Sequence, residues 1–330
     1  MRITVVGAGV AGLAVATELA DRGHAVTIVA RSPEIGMDAC SWFAGGMLAP
    51  WCEGESAEEP VVRLGQEALD WWDRHIDGVV REGTLVVAHD RDAAELRRFA
   101  RRTSHFETLD AEGIAGCEPD MEGRFRQGLF FSGEGHLDPR HALKRLAERL
   151  RMKGAVFHLG TEAGAVETGA DMTVDCRGLA ARGDVAGLRG VRGEMLVVRS
   201  RDIHFSRPVR LLHPRIPLYV VPRGDGVHMI GATMIESDEK GGISVRSTLE
   251  LLNAAYALHP AFAEAEILET AADRRPAFAD NLPRLIRRGS TLYANGLYRH
   301  GFLLSPALAR MVAEAVEQPE TLSELMEVPA

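Results

Sequence analysis

The sequence predicts an α/β fold, a Rossmann-like domain that binds a dinucleotide together with a smaller α+β domain built on an antiparallel sheet. Three observations predict it. The chain opens with an apolar strand, a Gly7-Ala8-Gly9-Val10-Ala11-Gly12 turn and an amphipathic helix; helix and strand patterns of the same kind return over residues 139–159 and 292–318; the strands between them are clustered by turns rather than alternating with helices. At 330 residues, 46% of them hydrophobic, the chain is long enough for two cores.

The opening unit runs from strand Arg2–Val6 through the glycine turn into a helix ending near Arg22, with Leu13, Ala16, Leu19 and Ala20 on one face. Gly23 stops that helix before a second strand over residues 25–29. The three glycines have separate jobs. Gly7 makes the tight turn, Gly9 lets backbone approach a pyrophosphate, and Gly12 lets the helix pack closely on the sheet. The helix N-terminus then offers free N–H groups and a positive dipole end to the phosphates. One position breaks the pattern. Where such units carry an Asp or Glu that accepts from ribose hydroxyls, this chain has Ala30-Arg31-Ser32. Either Ser32 or a backbone group takes over, or the cofactor is held less tightly.

Residues 36–54 are too apolar for a surface loop and too glycine-rich for a helix, a conflict that a covering ligand resolves; Gly45-Gly46 lets backbone approach a flat ring. Residues 61–76 have helical spacing, with Trp71-Trp72 read as core or interface residues. A strand over 83–88, a charged helix Ala93–Arg102 and a strand over 128–132 form an irregular α+β stretch. Pro139–Met152 is amphipathic, and strands over 155–159 and 171–178 resume the parallel sheet. Strands over 194–199, 218–221 and 228–232, with a turn at Pro222-Arg223-Gly224-Asp225-Gly226, predict an antiparallel sheet, and a helix over 249–257 covers it. A strand over 292–296, a glycine-containing loop over 297–304 and a helix over 306–318, with Pro306 in its first turn, close the chain.

Net charge is −9 with scattered basic residues, which argues against a nucleic-acid partner. No stretch approaches the ~18–20 apolar residues of a membrane span, and no signal-peptide pattern opens the chain, so a cytoplasmic location is expected. Cys40, Cys52, Cys117 and Cys176 show no CxxC spacing, and the 12 histidines form no HExxH or Cys/His cluster, so no metal site is expected.

Several stretches together carry a resemblance. They are residues 6–12, the 44–50 loop, Gly193-Glu194, Tyr219-Val220-Val221-Pro222-Arg223, Gly231-Ala232-Thr233-Met234, Arg275-Pro276 and Tyr298-Arg299-His300-Gly301-Phe302-Leu303-Leu304-Ser305-Pro306. In this order they resemble the FAD-dependent amino-acid oxidases of the glycine oxidase and D-amino-acid oxidase family, most closely the glycine oxidases of thiamine biosynthesis. The resemblance implies an FAD-binding domain from residues 1–78, 135–189 and 273–330, and a substrate domain from 79–134 and 190–272 whose sheet roofs the isoalloxazine. It places Gly7, Gly9, Val10, Ala11 and Gly12 at the pyrophosphate turn, Ala30 and Arg31 at the ribose, and Ala163 at the adenine. Cys40, Ser41, Gly45, Gly46 and Met47 would line the flavin. Leu297, Tyr298, Arg299, His300, Gly301, Phe302 and Leu303 would follow its pyrimidine end, where a helix N-terminus stabilises negative charge.

Arg275 matches the family's carboxylate-binding arginine and Arg299 a second substrate contact, with Met47 and Tyr219 as pocket walls. Hydride transfer from an amino acid needs its carboxylate gripped so that the Cα–H is aimed, and a planar guanidinium does this. No acid or base is assigned, because the flavin carries the redox chemistry. The alternatives are a surface ion pair for Arg275, beside Asp273 and Arg274, and ordinary core packing for Met47. With no cysteine beyond Cys176, the flavin is expected to be noncovalent. The implied reaction takes glycine and O2 to the imine and hydrogen peroxide; the imine hydrolyses to glyoxylate or is handed to a thiazole synthase. A homo-oligomer stays open. Alternatives are a sarcosine or D-amino-acid oxidase, an NAD(P)-dependent dehydrogenase and a binding protein without turnover.

Overall fold

The structure, a computed structural model, describes residues 1–214, 217–320 and 323–326. Six strands form the sheet that the opening unit begins, in the spatial order Arg284–Arg288, Thr291–Asn295, Met172–Asp175, Arg2–Val6, Ala25–Ala30 and Val156–Leu159. All neighbours are parallel except the Arg284–Arg288 and Thr291–Asn295 hairpin. Ile3, Val5 and Ile28 are fully buried, as strands covered on both faces require. From Arg2–Val6 the chain moves to one side for Ala25–Ala30 and later returns on the other with Met172–Asp175. The carboxyl end of Arg2–Val6 is thus a switch point, where a crevice opens outside the sheet. Helices Val10–Asp21, Pro139–Met152 and Gly301–Glu317 share one hydrophobic core with this sheet, and the first touches both others.

The last helix corrects the sequence reading. It starts at Gly301, so residues 301–304 are helix rather than loop, and Pro306 lies inside it rather than in its first turn. Proline has no N–H to give the carbonyl of Phe302. The Trp72 indole Nε1–H donates to that carbonyl at 2.8 Å instead. Trp72 is fully buried and meets Trp71 edge-on, which makes the tryptophan pair core. Two other readings also change. The 61–76 pattern divides into helices Glu59–Gly65 and Ala68–His75, and the 36–54 stretch contains two helical turns, a 3-10 turn at Cys40–Phe43 and Pro50–Glu53, the latter started by its proline.

The second sheet has eight strands in the order Glu266–Ala277, Arg189–Arg199, Val227–Gly231, Leu218–Pro222, Val209–Leu212, Thr84–Ala88, Gln127–Phe131 and Glu107–Asp110. It is antiparallel as expected except that Val209–Leu212 runs parallel to Thr84–Ala88. The reason is connectivity, since the chain between these two strands passes through the other sheet and no hairpin joins them. Helix Val245–Leu258 lays Leu251, Ala254, Ala255 and Leu258 against this sheet, forming a second core with Leu85, Leu196, Val220 and Ile230. Among the described residues no helix is long and apolar enough to cross a membrane.

Candidate active site

A cavity of ≈ 650 Å³ is lined by residues of both sheets. The glycine turn forms part of its wall. Gly7 has φ +109°, and a Cβ there would sit 2.7 Å from the Cys176 carbonyl oxygen. Gly7, Gly9, Val10 and Ala11 line the cavity; Gly12 does not. A Cβ on Gly12 would be 1.9 Å from the Gly7 carbonyl oxygen, so its place is helix packing and not cofactor contact. Helix Val10–Asp21 has no side-chain cap, which leaves its first N–H groups for an anion, although Val10 N–H also reaches Ser41 Oγ at 3.3 Å.

Ala30, Arg31 and Ala163 line the same cavity. The Ala30 carbonyl accepts from Thr161 N–H at 3.0 Å, tying the strand end to the loop that carries Ala163. Ser32 Oγ accepts from the Glu34 N–H at 3.4 Å, so this hydroxyl serves its own turn. An elongated cavity with an uncapped helix, a turn that excludes Cβ atoms and a buried apolar strand end fits a dinucleotide.

The 40–47 loop, also in the wall, is held from behind by arginines. Arg223 donates to the carbonyls of Ala44 at 3.2 Å and Gly45 at 2.8 Å, and Arg140 Nε to that of Trp42 at 3.2 Å. Burial pulls Arg223 down to about 10. At Gly46 φ is +73° and a Cβ would meet the Leu137 carbonyl oxygen at 2.2 Å, so only glycine lets the loop turn here. Cys40 faces the cavity with its thiol pushed up to about 12 by burial, hence neutral and a poor nucleophile.

The polar end is built on the eight-stranded sheet. Arg275, on Glu266–Ala277, lies across Gly193 of the neighbouring strand, where a Cβ would be 2.2 Å from its Nη2. Its Nη1 donates to the Thr233 carbonyl at 3.1 Å, and among the described residues no carboxylate lies within ion-pair distance of it. Tyr219 packs over two more glycines. A Cβ on Gly231 would be 2.7 Å and one on Gly45 3.0 Å from its ring. Burial pushes the Tyr219 hydroxyl up, while Arg275, Arg210 and Arg299 pull it back. Met47 lines the cavity, half-buried, with its backbone paired to His136.

Arg299 is in the wall, and other side chains also hold it. Its Nη2 is held by Glu53 Oε2 at 2.7 Å and Ser56 Oγ at 2.8 Å. Glu53 also accepts from Arg210 Nη2 and lies 2.9 Å from His300 Nε2. Burial pushes the Glu53 carboxyl up, but Arg299, Arg210 and His300 outweigh it and hold it well below the usual carboxylate range. Glu53 and Arg210 were not foreseen. The available signals were an acid at the end of an apolar loop and an arginine in the apolar strand Val209–Leu212.

Leu297, Tyr298, His300, Gly301, Phe302 and Leu303 complete the wall, at the N-terminus of Gly301–Glu317, which has no side-chain cap. Two uncapped helix N-termini thus border one cavity, one suited to phosphates and one to charge developing on a bound ring.

Comparison with known proteins agrees with this geometry. The chain is 58% identical over 314 residues to a putative thiamine biosynthesis oxidoreductase ThiO of Rhizobium etli, covering 95% of each. It is 26% identical to a bifunctional ThiO/ThiG protein of Trichormus variabilis, matching 97% of this chain and 53% of that protein. The crystal structure of glycine oxidase from Geobacillus kaustophilus superposes with a TM-score of 0.81 at 26% identity, covering 98% of this chain and 97% of that one. The model of the DAO family, FAD-dependent oxidoreductases, matches residues 2–315, and with the glycine turn, the two helix N-termini and the shared cavity already in place, the chain belongs to that family.

Proposed function

We propose that this FAD-dependent oxidoreductase oxidises glycine to its imine and passes the electrons to O2, releasing hydrogen peroxide. The observation that carries the reading is Arg275, a guanidinium with no carboxylate partner among the described residues, laid flat over Gly193 in the wall of the cofactor cavity. With Nη1 steadied by the Thr233 carbonyl, its remaining N–H groups suit a bidentate grip on a substrate carboxylate. That grip fixes the Cα, while Tyr219 and Met47 close the space beside it and favour a small substrate. FAD, when bound, supplies the two-electron acceptor. The N-terminus of Gly301–Glu317 offers unpaired N–H groups to negative charge, and no protein base is needed when the amine arrives neutral.

The proposal takes the flavin as noncovalent, with Cys40 neutral beside it, and keeps the division into residues 1–78, 135–189 and 273–330 against 79–134 and 190–272. The ThiO/ThiG protein, in which a partner is joined to a chain like this one, supports handing the imine to a thiazole-forming enzyme. Purified protein should be yellow and release peroxide with glycine faster than with sarcosine or D-alanine. Yellow protein that releases peroxide with none of the three would overturn the reading; a faster rate with sarcosine or D-alanine would move the substrate but keep the chemistry.

A further inference from the structure

We infer that Glu53 is a built-in carboxylate occupying an anion-binding place in the cavity wall, and that it thereby excludes substrates bearing a second acidic group. This rests on the reading that an amino acid is gripped at Arg275. Glu53 is the last residue of the short helix Pro50–Glu53 and only 7% exposed. Arg210 holds one of its oxygens, while the other accepts from Arg299 at 2.7 Å and lies 2.9 Å from His300 Nε2. All four groups line the cavity that contains Arg275, and the Tyr219 ring lies in the field of both Arg275 and this cluster.

Two guanidiniums aimed at one carboxylate form a receptor for an anion, and here the chain supplies the anion itself. A substrate with a second carboxylate would meet Glu53 where it needs a cation, and such like-charge opposition discriminates between ligands more sharply than a missing contact. The Arg299 guanidinium does not depend on Glu53 alone for its placement, and Arg210 is anchored through its backbone. Arg299 is also held by Ser56 Oγ at 2.8 Å and rests on the Met234 sulfur at 3.4 Å, and Arg210 sits on the interior strand Val209–Leu212 between two neighbours. Shortening Glu53 to alanine therefore leaves a hole of carboxylate size lined by two arginines and a histidine.

The test uses FAD-loaded Glu53→Ala and Glu53→Gln beside wild type, with acetate, N-(carboxymethyl)glycine and the uncharged, similarly sized N-propylglycine as probes. Acetate should raise the melting temperature of Glu53→Ala above that in equal chloride and leave wild type unmoved. The ratio of kcat/KM for N-(carboxymethyl)glycine to that for N-propylglycine should rise at least about ten-fold in Glu53→Ala, the scale of one recovered charge-assisted contact. Should Glu53→Ala fold only in acetate, that is rescue and supports the inference. Should it fold in neither salt, Glu53→Gln decides: a raised ratio supports the inference and an unchanged ratio overturns it. No acetate effect together with an unchanged ratio also overturns it. The acetate arm needs no turnover, so failure of wild type to oxidise glycine would strike the proposed function alone.

Discussion

At the scale of single residues, the site depends on what glycines leave open. Arg275 can lie flat because residue 193 has no Cβ, and Tyr219 can stand in the wall because residues 231 and 45 have none. Arg275→Lys should lower kcat/KM for glycine roughly ten- to a hundred-fold with the flavin spectrum intact, because a point charge loses a bidentate grip worth about 1.5–3 kcal/mol. Steady-state kinetics check it, and an unchanged value would remove Arg275 from the substrate. Ala30 gives the second expectation. Its methyl is buried in the cavity wall and the Ser32 hydroxyl already accepts from the Glu34 N–H, so no side chain of Ala30-Arg31-Ser32 offers the charged acceptor this position usually carries. Ala30→Glu should tighten FAD several-fold, near the lower end of what a charged acceptor contributes because Arg31 can pair with it. Titrating FAD into stripped protein by flavin fluorescence reads this directly; equal dissociation constants would mean that the backbone already does the work.

At the scale of elements, boundaries moved where tertiary contacts replaced a missing local bond. Proline at 306 reads as a helix start because it cannot donate inside one. The helix nevertheless runs from Gly301 through it, since Trp72 supplies the N–H that Pro306 lacks. Trp72→Phe should destabilise the protein by ~1–3 kcal/mol from the unpaired Phe302 carbonyl, beyond the loss of ring volume. Adding Pro306→Ala restores a backbone N–H to that carbonyl, so the double variant should lose less than the two single changes summed. Chemical denaturation of the four proteins gives the coupling, and strict additivity would show that the indole is not the partner.

At the scale of the whole molecule, burial of polar groups makes stability depend on pH. Glu134 follows Gln127–Phe131, and its Oε1 accepts from the Cys52 N–H at 2.8 Å. Burial pushes its carboxyl from 4.5 up to about 7. Between those values the native chain keeps a proton that the unfolded chain has released, so this contribution to stability is present below pH 4.5, falls as pH rises, and is gone above 7. Glu134→Gln carries no such proton. Its unfolding free energy should improve relative to wild type by on the order of 3 kcal/mol across that interval, measured by denaturation at a series of pH values. A constant difference would mean that Glu134 is ionised in the native protein throughout.

The sequence by itself determined the opening βαβ unit, the helices Ala93–Arg102 and Pro139–Met152 and the split between a parallel and a mainly antiparallel sheet, and all the residues expected at the site except Gly12 line one cavity. These were legible because strand and helix periods, turn glycines and a motif order are written in neighbouring residues. Tertiary structure alone decided the rest. The strand Glu266–Ala277 carries too many charges to alternate and becomes a strand by pairing with Arg189–Arg199. The parallel pairing of Val209–Leu212 with Thr84–Ala88 joins segments that no turn connects. Arg299, which reads as a substrate contact, is held by Glu53, because a buried carboxylate draws in every cation within reach and only the fold brings residues 53, 210 and 299 together.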